Sequence, residues 1–224
     1  MTKLKVDKRI YFPDPEAFSL DGIVAMGDEI STDILLEAYS FGIFPWPHPE
    51  LPCLWYSPEK RGVLEFEDFH ISKSMRKHLA KRVHGVTFNQ SFSEVIRKCA
   101  EVPRPDQDGT WITSPLLKAY EKFHEDGYAH SVEVWNQKQE LVGGLYGVYV
   151  AGVFAGESMF FSETNASKVA LIKLIEKLQE NGLKWMDIQM LTPVTEAMGG
   201  VYVSKNQYFQ MLAEAKAKAE PLKL

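Results

Sequence analysis

The chain has 224 residues, 45% of them hydrophobic and 25% charged, with a net charge of −5. That is an ordinary composition for one large domain, or one domain with a small companion, and it speaks against a general nucleic-acid binder. The charged N-terminus "MTKLKVDKRIYF" lacks a leader's apolar stretch, and the longest uncharged run, residues 141–156, is too short and Gly-rich to span a bilayer.

In chain order, "STDILLEAYSFG" predicts a helix capped by Ser31 or Thr32 and ended by Gly42. "IFPWPHPELPCLWYSP" holds five prolines, which predicts a shaped loop rather than a helix or a central strand. Its Trp46, Trp55 and Tyr56 either pin that loop to the core or form a stacking surface. A domain boundary is expected near residues 58–62. Ser72 then caps a basic helix running to about Arg82, and "SFSE" at 91–94 has the form of a capping box. A polar loop, "EVPRPDQDG", leads to a helix with Thr113 or Ser114 as cap and Pro115 at its first position, running to Gly127.

From there the pattern changes. "AHSVEVWN", "LVGGLYGVYV" and "GVFAGESMFF" read as an antiparallel meander with "QKQ" and "AG" turns. "NASKVALIKLIEKLQENG" is an amphipathic helix with Asn165 as cap and Gly182 as stop. The strand "LKWMDIQ", a short helix, the strand "VYVSK" and a C-terminal helix close the chain, so the expected class is α+β with a mixed sheet.

Charge is unevenly spread. Residues 70–84 carry five Lys/Arg and no Asp/Glu, leaving 20 basic against 30 acidic residues elsewhere. Lys73, Lys77 and Lys81 fall on one helical stripe with Arg76 beside it. Charge alone favours a solvated helix face over a polyanion site. Cys53 and Cys99 lack metal-type spacing and read as free thiols of a reducing compartment. The six His do not pair with Asp, Glu or Cys at ligand spacing, so no metal is expected.

Nucleophile-elbow, Walker and zincin motifs are missing from the sequence. What remains is polar residues on apolar strands. Asp187 and Gln189, two apart, share one face of a strand, and Glu157 interrupts another. Such groups are costly unless paired or solvated in a cleft. A structural hydrogen-bond network and a site are equally good readings of any one of them. Three together at neighbouring strand ends, with Gly143, Gly144, Gly147, Gly152 and Gly156 nearby, favour a cleft.

"GIFPW", "WYSPEKRGVL", "HISKSMRKHL", "TWIT", "AHSVEVW", "LVGGLYGV", "GESMF", "NASKVAL" and "DIQ" together resemble the bacterial leucyl/phenylalanyl-tRNA–protein transferase family, in its order and nearly its spacing, from about residue 11 to 205. The resemblance implies a small N-terminal domain, 1–61, followed by a GCN5-related N-acetyltransferase-like domain, 62–224, with a central, largely antiparallel sheet. It implies transfer of Leu, Phe and less well Met from aminoacyl-tRNA to proteins with N-terminal Lys or Arg, creating a degradation signal. It implies a cytoplasmic enzyme, here expected to be a monomer that needs no cofactor.

Carried over residue by residue, the resemblance puts Trp46 and Trp111 around the terminal adenosine, where aromatic stacking is worth about 1–3 kcal/mol per base. It puts the aminoacyl pocket on Leu145, Phe154, Met159 and Leu174, with Leu145 standing where relatives have Met and Leu174 where they have Phe. It makes Glu157 an acceptor-binding residue and gives catalysis to Asp187 and Gln189. Lys73, Arg76, Lys77 and Lys81 would meet the tRNA. Phe161 replaces a Ser common in relatives, and the segment after Gln189 lacks their His.

Three rivals are weighed. An acetyl-CoA-dependent acetyltransferase needs a glycine-rich loop where "SETNASKVAL" stands. A non-catalytic tRNA-binding module leaves Glu157, Asp187 and Gln189 unexplained. An aminoacyltransferase with a different acceptor, such as N-terminal Asp/Glu or a cell-wall peptide, is the third; an acidic cleft disfavours an acidic acceptor.

Overall fold

The computed structural model describes residues 6, 8–15, 21–48, 51–102 and 111–224. Most of the N-terminal "MTKLKV" segment and most of the polar loop after Glu101 lie outside the described residues. The protein is an α+β structure built on two sheets.

The smaller sheet has order β1-β3-β2, from Ile23–Met26, Leu51–Tyr56 and Phe44–His48. This corrects the expectation that the proline-rich stretch forms no central strand. β3 is central and carries Pro52. The reason lies in register: β1 pairs only with residues 54–56, so Pro52 sits where the inner side has no ladder to donate into. Pro45 and Pro47 fall on β2, an edge strand, where a missing N–H costs little.

The larger sheet has order β10-β4-β9-β8-β7-β6-β5. Its strands are β4 (Lys60–Glu65), β5 (Gly85–Phe88), β6 (Ala129–Trp135), β7 (Leu141–Val150), β8 (Val153–Phe161), β9 (Trp185–Gln189) and β10 (Val201–Ser204). The described pairings are antiparallel except β8 with β9, which are parallel and share one registered pair, Ala155 with Asp187. The sequence reading missed β1, β4 and β5, short strands without clean alternation.

The meander is as expected. β7 and β8 join through Ala151 and Gly152, both at positive φ, the geometry a two-residue hairpin requires. A Cβ on Gly152 would lie 2.4 Å from the Ala215 carbonyl, so glycine also lets the C-terminal helix approach. That helix, α7 (Lys205–Ala217), starts on a capping box of Ser204 and Gln207.

Helices cover both faces. On one side, α1 (Thr32–Ser40), α3 (Phe92–Glu101), α4 (Ser114–Glu125) and α7 pack with the small sheet in a core of Leu35, Ile43, Trp55, Ile96, Tyr120 and Tyr146. On the other, α5 (Ala166–Glu180) lays Val169, Ile172, Leu174 and Ile175 against Leu145 and Phe154. The basic helix α2 (Lys73–Ala80) anchors to this second core through Met75. A short helix, α6 (Pro193–Ala197), follows β9.

Caps fall partly as read. Ser31 and Ser72 accept from Ile34 and Met75 N–H groups. Ser91 and Asn165 hold cap positions without side-chain bonds: neither has the extended backbone of a capping residue, Asn165 being left-handed, and the Ser91 N–H goes to Glu133, so the expected capping box does not form.

Candidate active site

Two irregularities in the large sheet create the site. On β8, Gly147 pairs with Gly156 and Tyr146 with Ser158, leaving Glu157 as a bulged, unmatched residue. On β9, Val63 pairs with Asp187 and Gly62 with Gln189, leaving Ile188 unmatched. Bulges re-aim side chains and bend a strand away from its neighbour. Here both sit at the parallel β8–β9 junction.

Gln189 has φ of +58°, a left-handed conformation that costs a non-glycine residue about 1 kcal/mol or more unless its surroundings fix it. The surroundings do so. The Gln189 backbone N–H donates to Asp187 Oδ1 at 2.8 Å. Asp187 is buried and also accepts from Arg61 Nε at 2.9 Å, Arg61 Nη2 at 2.6 Å and the Tyr208 hydroxyl at 2.8 Å. Burial opposes the Arg61 charge, but the Asp187 carboxylate overrides it and holds the guanidinium pKa above its ordinary value.

The side chain of Gln189 reaches the bulge. Its Nε2 donates to Glu157 Oε1 at 2.7 Å. Tyr120 donates to Glu157 Oε2 at 3.2 Å, and the Tyr39 and Tyr120 hydroxyls bond to each other. While Glu157 is ionised it only accepts, so in that form the Gln189 amide nitrogen faces it and the amide oxygen faces away. Burial pushes the Glu157 carboxyl up to about 7; the Asp187 charge adds to the rise, while the tyrosines and Arg61 oppose it. The same burial, with Glu157 close by, raises the Tyr39 and Tyr120 pKa values.

Glu157 borders a cavity of about 350 Å³. Leu145, Met159, Leu171, Met186, Ile188 and Met190 supply its apolar walls, and Ser158, Thr192 and Thr195 add polar edges. Met186 and Ile188 alternate with Asp187 along β9, so one side of the strand serves the cavity and the other the Arg61 pair. An apolar chamber with a few convergent polar groups at one end is the usual form of a small-molecule site.

The structure therefore brings Glu157, Asp187 and Gln189 together and sets Leu145 and Met159 beside them. Two residues of the expected pocket do not line this cavity. Phe154 and Leu174 are fully buried and stand behind the wall. The ring of Phe154 lies where a Cβ on Gly147 would be, within 2.4 Å, so it fills the sheet surface instead of the cavity. On α5 it is Leu171, nearly one turn earlier, that reaches the chamber, while Leu174 packs in the core.

Trp46 and Trp111 stack on each other, centroids 5.8 Å apart and planes 9° from parallel. Trp111 is buried and Trp46 half-buried; neither lines the cavity. Lys73, Arg76, Lys77 and Lys81 are all exposed on α2 and its C-cap. Among the described residues, no group of three or more His, Cys, Asp or Glu is placed to hold a metal ion, and no helix is long and apolar enough to cross a membrane. Both cysteines are buried and neither is in a disulfide.

Sequence reasoning missed Arg61, Tyr208, Tyr39 and Tyr120. Arg61 stood inside a quoted motif, but its partner lies 126 residues away and no local pattern links them. The tyrosines read as core aromatics, which in packing terms they are.

A family model described as leucyl/phenylalanyl-tRNA protein transferase matches residues 63–213, and a model of that family's N-terminal domain matches residues 28–59. The chain is 44% identical over 214 residues to the leucyl/phenylalanyl-tRNA–protein transferase of Syntrophobacter fumaroxidans, covering 96% of this chain and 91% of that one. It is 43% identical to the protein of that name from Maridesulfovibrio salexigens, covering 91% and 85% of the two chains. The Pseudoalteromonas translucida protein of that name is 45% identical, with 92% and 87% covered. Among solved structures, L-PGS from Bacillus licheniformis overlays with a TM-score of 0.42 at 14% identity, covering 72% of this chain and 51% of that one, too loose a likeness to bear on the fold. The sequence matches define a class, the tRNA-dependent protein transferases. Within it, the chain belongs to the leucyl/phenylalanyl-tRNA protein transferase family.

Proposed function

We propose that this protein transfers Leu, Phe and, less well, Met from aminoacyl-tRNA to the N-terminal Lys or Arg of proteins, creating a degradation signal, as a monomeric cytoplasmic enzyme without a cofactor. The observation that carries this reading is Glu157 at the polar end of an apolar cavity, with the buried Gln189 hydrogen-bonded behind it. Family membership supplies the reaction class.

The cavity accepts the aminoacyl side chain. Leu145, Met159, Leu171, Met186 and Ile188 form its apolar walls, with hydroxyls only at the edges, so apolar side chains are favoured over polar ones and are told apart weakly among themselves. Trp46 and Trp111 form the adenosine site: Trp46, backed by the buried Trp111, offers its half-buried outer face to the base. Lys73, Arg76, Lys77 and Lys81 bind tRNA phosphates. Glu157, when ionised, receives the cationic side chain of the acceptor.

The acceptor's α-amine attacks the ester carbonyl carbon. A carbon–nitrogen bond forms, and the bond from that carbon to the ribose oxygen breaks. The Gln189 amide oxygen, turned away from Glu157, accepts a hydrogen bond from the attacking amine and aims its lone pair. A carboxamide is too weakly basic to take the proton, which passes to the leaving oxygen through the vicinal ribose hydroxyl or a water. The ester is already activated, so positioning supplies most of the rate. Asp187 takes a positioning role: its bonds to Arg61, Tyr208 and the Gln189 N–H leave no room to bind an acceptor.

The large sheet is read as a GCN5-related acetyltransferase type, and since β4 (Lys60–Glu65) belongs to it, the boundary expected at 61/62 is placed at the start of that strand. The single parallel junction, β8 with β9, supports it, since one registered pair lets the strands splay around a substrate. The test is to charge tRNA with Leu, Phe, Met and Ser in turn and follow transfer to an Arg-initiated peptide. Efficient transfer of Leu and Phe, weaker transfer of Met and none of Ser is expected; Ser transfer at a comparable rate would remove the cavity from the account.

A further inference from the structure

We infer that Arg61 and Tyr208 are positioning residues of the transfer reaction, acting through Asp187 on Gln189. This rests on the reading of Gln189 as the amine's hydrogen-bond partner. Neither residue lines the cavity, and both are almost fully buried, with exposures of 1% and 3%.

A left-handed non-glycine residue persists only where its surroundings over-determine it. For Gln189 the fixing contact is its N–H on Asp187 Oδ1. That contact is only as rigid as the carboxylate, and three donors fix the carboxylate: two from Arg61 and the Tyr208 hydroxyl. The fork of a guanidinium allows one in-plane orientation of a bidentate partner. Arg61 is itself immobilised. Its guanidinium carbon lies 4.5 Å from the centroid of Phe44 on one ring and 4.6 Å from that of Tyr208 on another, and its Nη1 donates to the Gly42 carbonyl at 3.1 Å.

A buried ion pair is a poor source of stability, since packed apolar residues usually serve as well. The Asp187 end of this pair sits two positions from the strained residue of the site, where orientation matters more than energy. It also ties the carboxamide to parts of the chain far away in sequence: β2 through Phe44, the Gly42 turn, and α7 through Tyr208. The docking of α7 is thereby coupled to the geometry at Gln189.

The test is a double-mutant cycle. Tyr208→Phe keeps the ring against Arg61 and removes only the hydroxyl donor. It is expected to lower kcat about tenfold, the size of one charge-assisted hydrogen bond. KM for aminoacyl-tRNA and for an Arg-initiated peptide should not change. In a Gln189→Ala background, adding Tyr208→Phe should change nothing, because the group being positioned is gone. An unchanged kcat in the single variant, or the same tenfold loss in both backgrounds, would overturn the inference while leaving the role of Gln189 intact. Wild-type kcat in Gln189→Ala alone would instead sink the underlying reading, and this inference with it. Arg61→Lys, which keeps the charge but loses the fork, runs the same cycle if Tyr208→Phe does not fold.

Discussion

The backbone N–H of Gln189 donates to the Asp187 carboxylate at 2.8 Å across one bulged residue, and the Gln189 side chain turns to Glu157 at 2.7 Å. A strand residue is thus bent out of regular geometry by its own neighbour two positions back. The distortion leaves the amide oxygen facing away from the carboxylate.

Gln189→Ala is expected to lower kcat by roughly 10²-fold, typical for loss of one oriented hydrogen-bonding group in a reaction centre, with tRNA affinity unchanged. Asp187→Ala should lower turnover too and, unlike Gln189→Ala, should lose roughly 3–5 kcal/mol of stability, because it strands a buried guanidinium. Steady-state kinetics beside a tRNA-binding titration and a thermal melt separate the two. Loss of tRNA affinity in step with activity would remove both residues from the chemistry.

Glu157 should impose two opposite pH trends. Its folded pKa of about 7 lies above the ordinary 4.5, so the native state binds the proton more tightly than the unfolded chain. Stability is therefore lost as pH rises from about 4.5 through about 7. Glu157→Gln should raise Tm by a few degrees at pH 8 and by less at pH 5. Binding of a cationic side chain needs the ionised form. An N-acetylated Arg peptide, which has no amine of its own to titrate, should inhibit more strongly as pH rises through about 7. A flat inhibition profile would take Glu157 out of acceptor binding.

The exposed stripe on α2 should act through charge. Reversing Lys73 and Lys77 to Glu is expected to raise KM for aminoacyl-tRNA about tenfold or more at low ionic strength, with kcat preserved. The difference should shrink as salt is added, since fewer counterions are released. An unchanged KM at low salt would return α2 to a solvated helix face.

His130 is a cost carried by the fold. Both ring nitrogens are out of reach of solvent and of any partner, and burial, then the nearby His124, pushes its pKa down to about 4. A depressed histidine leaves the unfolded chain to take the proton first, so stability is lost as pH falls below about 6.5. His130→Phe should raise Tm more at pH 5 than at pH 8. Equal gains at both would mean that packing, not titration, is responsible.

Periodicity made the meander, the long helix α5 and the C-terminal helix legible, because their apolar residues repeat at the period of the element. β4 escaped because "KRGVLE" begins charged and follows a proline, so it looked like a boundary. The site was half legible. Glu157, Asp187 and Gln189 stood out as polar residues on apolar strands, and such intrusions need partners. The partners were invisible: Arg61 and Tyr208 reach Asp187 only through the strand order β10-β4-β9 and the return of α7. The cavity's extent was not legible. Phe154 and Leu174 share one apolar cluster with the cavity-lining Leu145 and Leu171, and only the folded packing shows where that cluster opens into the cavity.

The most direct measurement mixes purified protein with Leu-tRNA and, separately, an Arg-initiated and a Glu-initiated peptide, and reads the peptide masses. A gain of one leucyl residue on the Arg peptide alone is the expected result; it would fix reaction class and acceptor together. A gain on the Glu peptide would contradict the role of Glu157, and no gain on either with tRNA still bound would make Glu157, Asp187 and Gln189 a structural network.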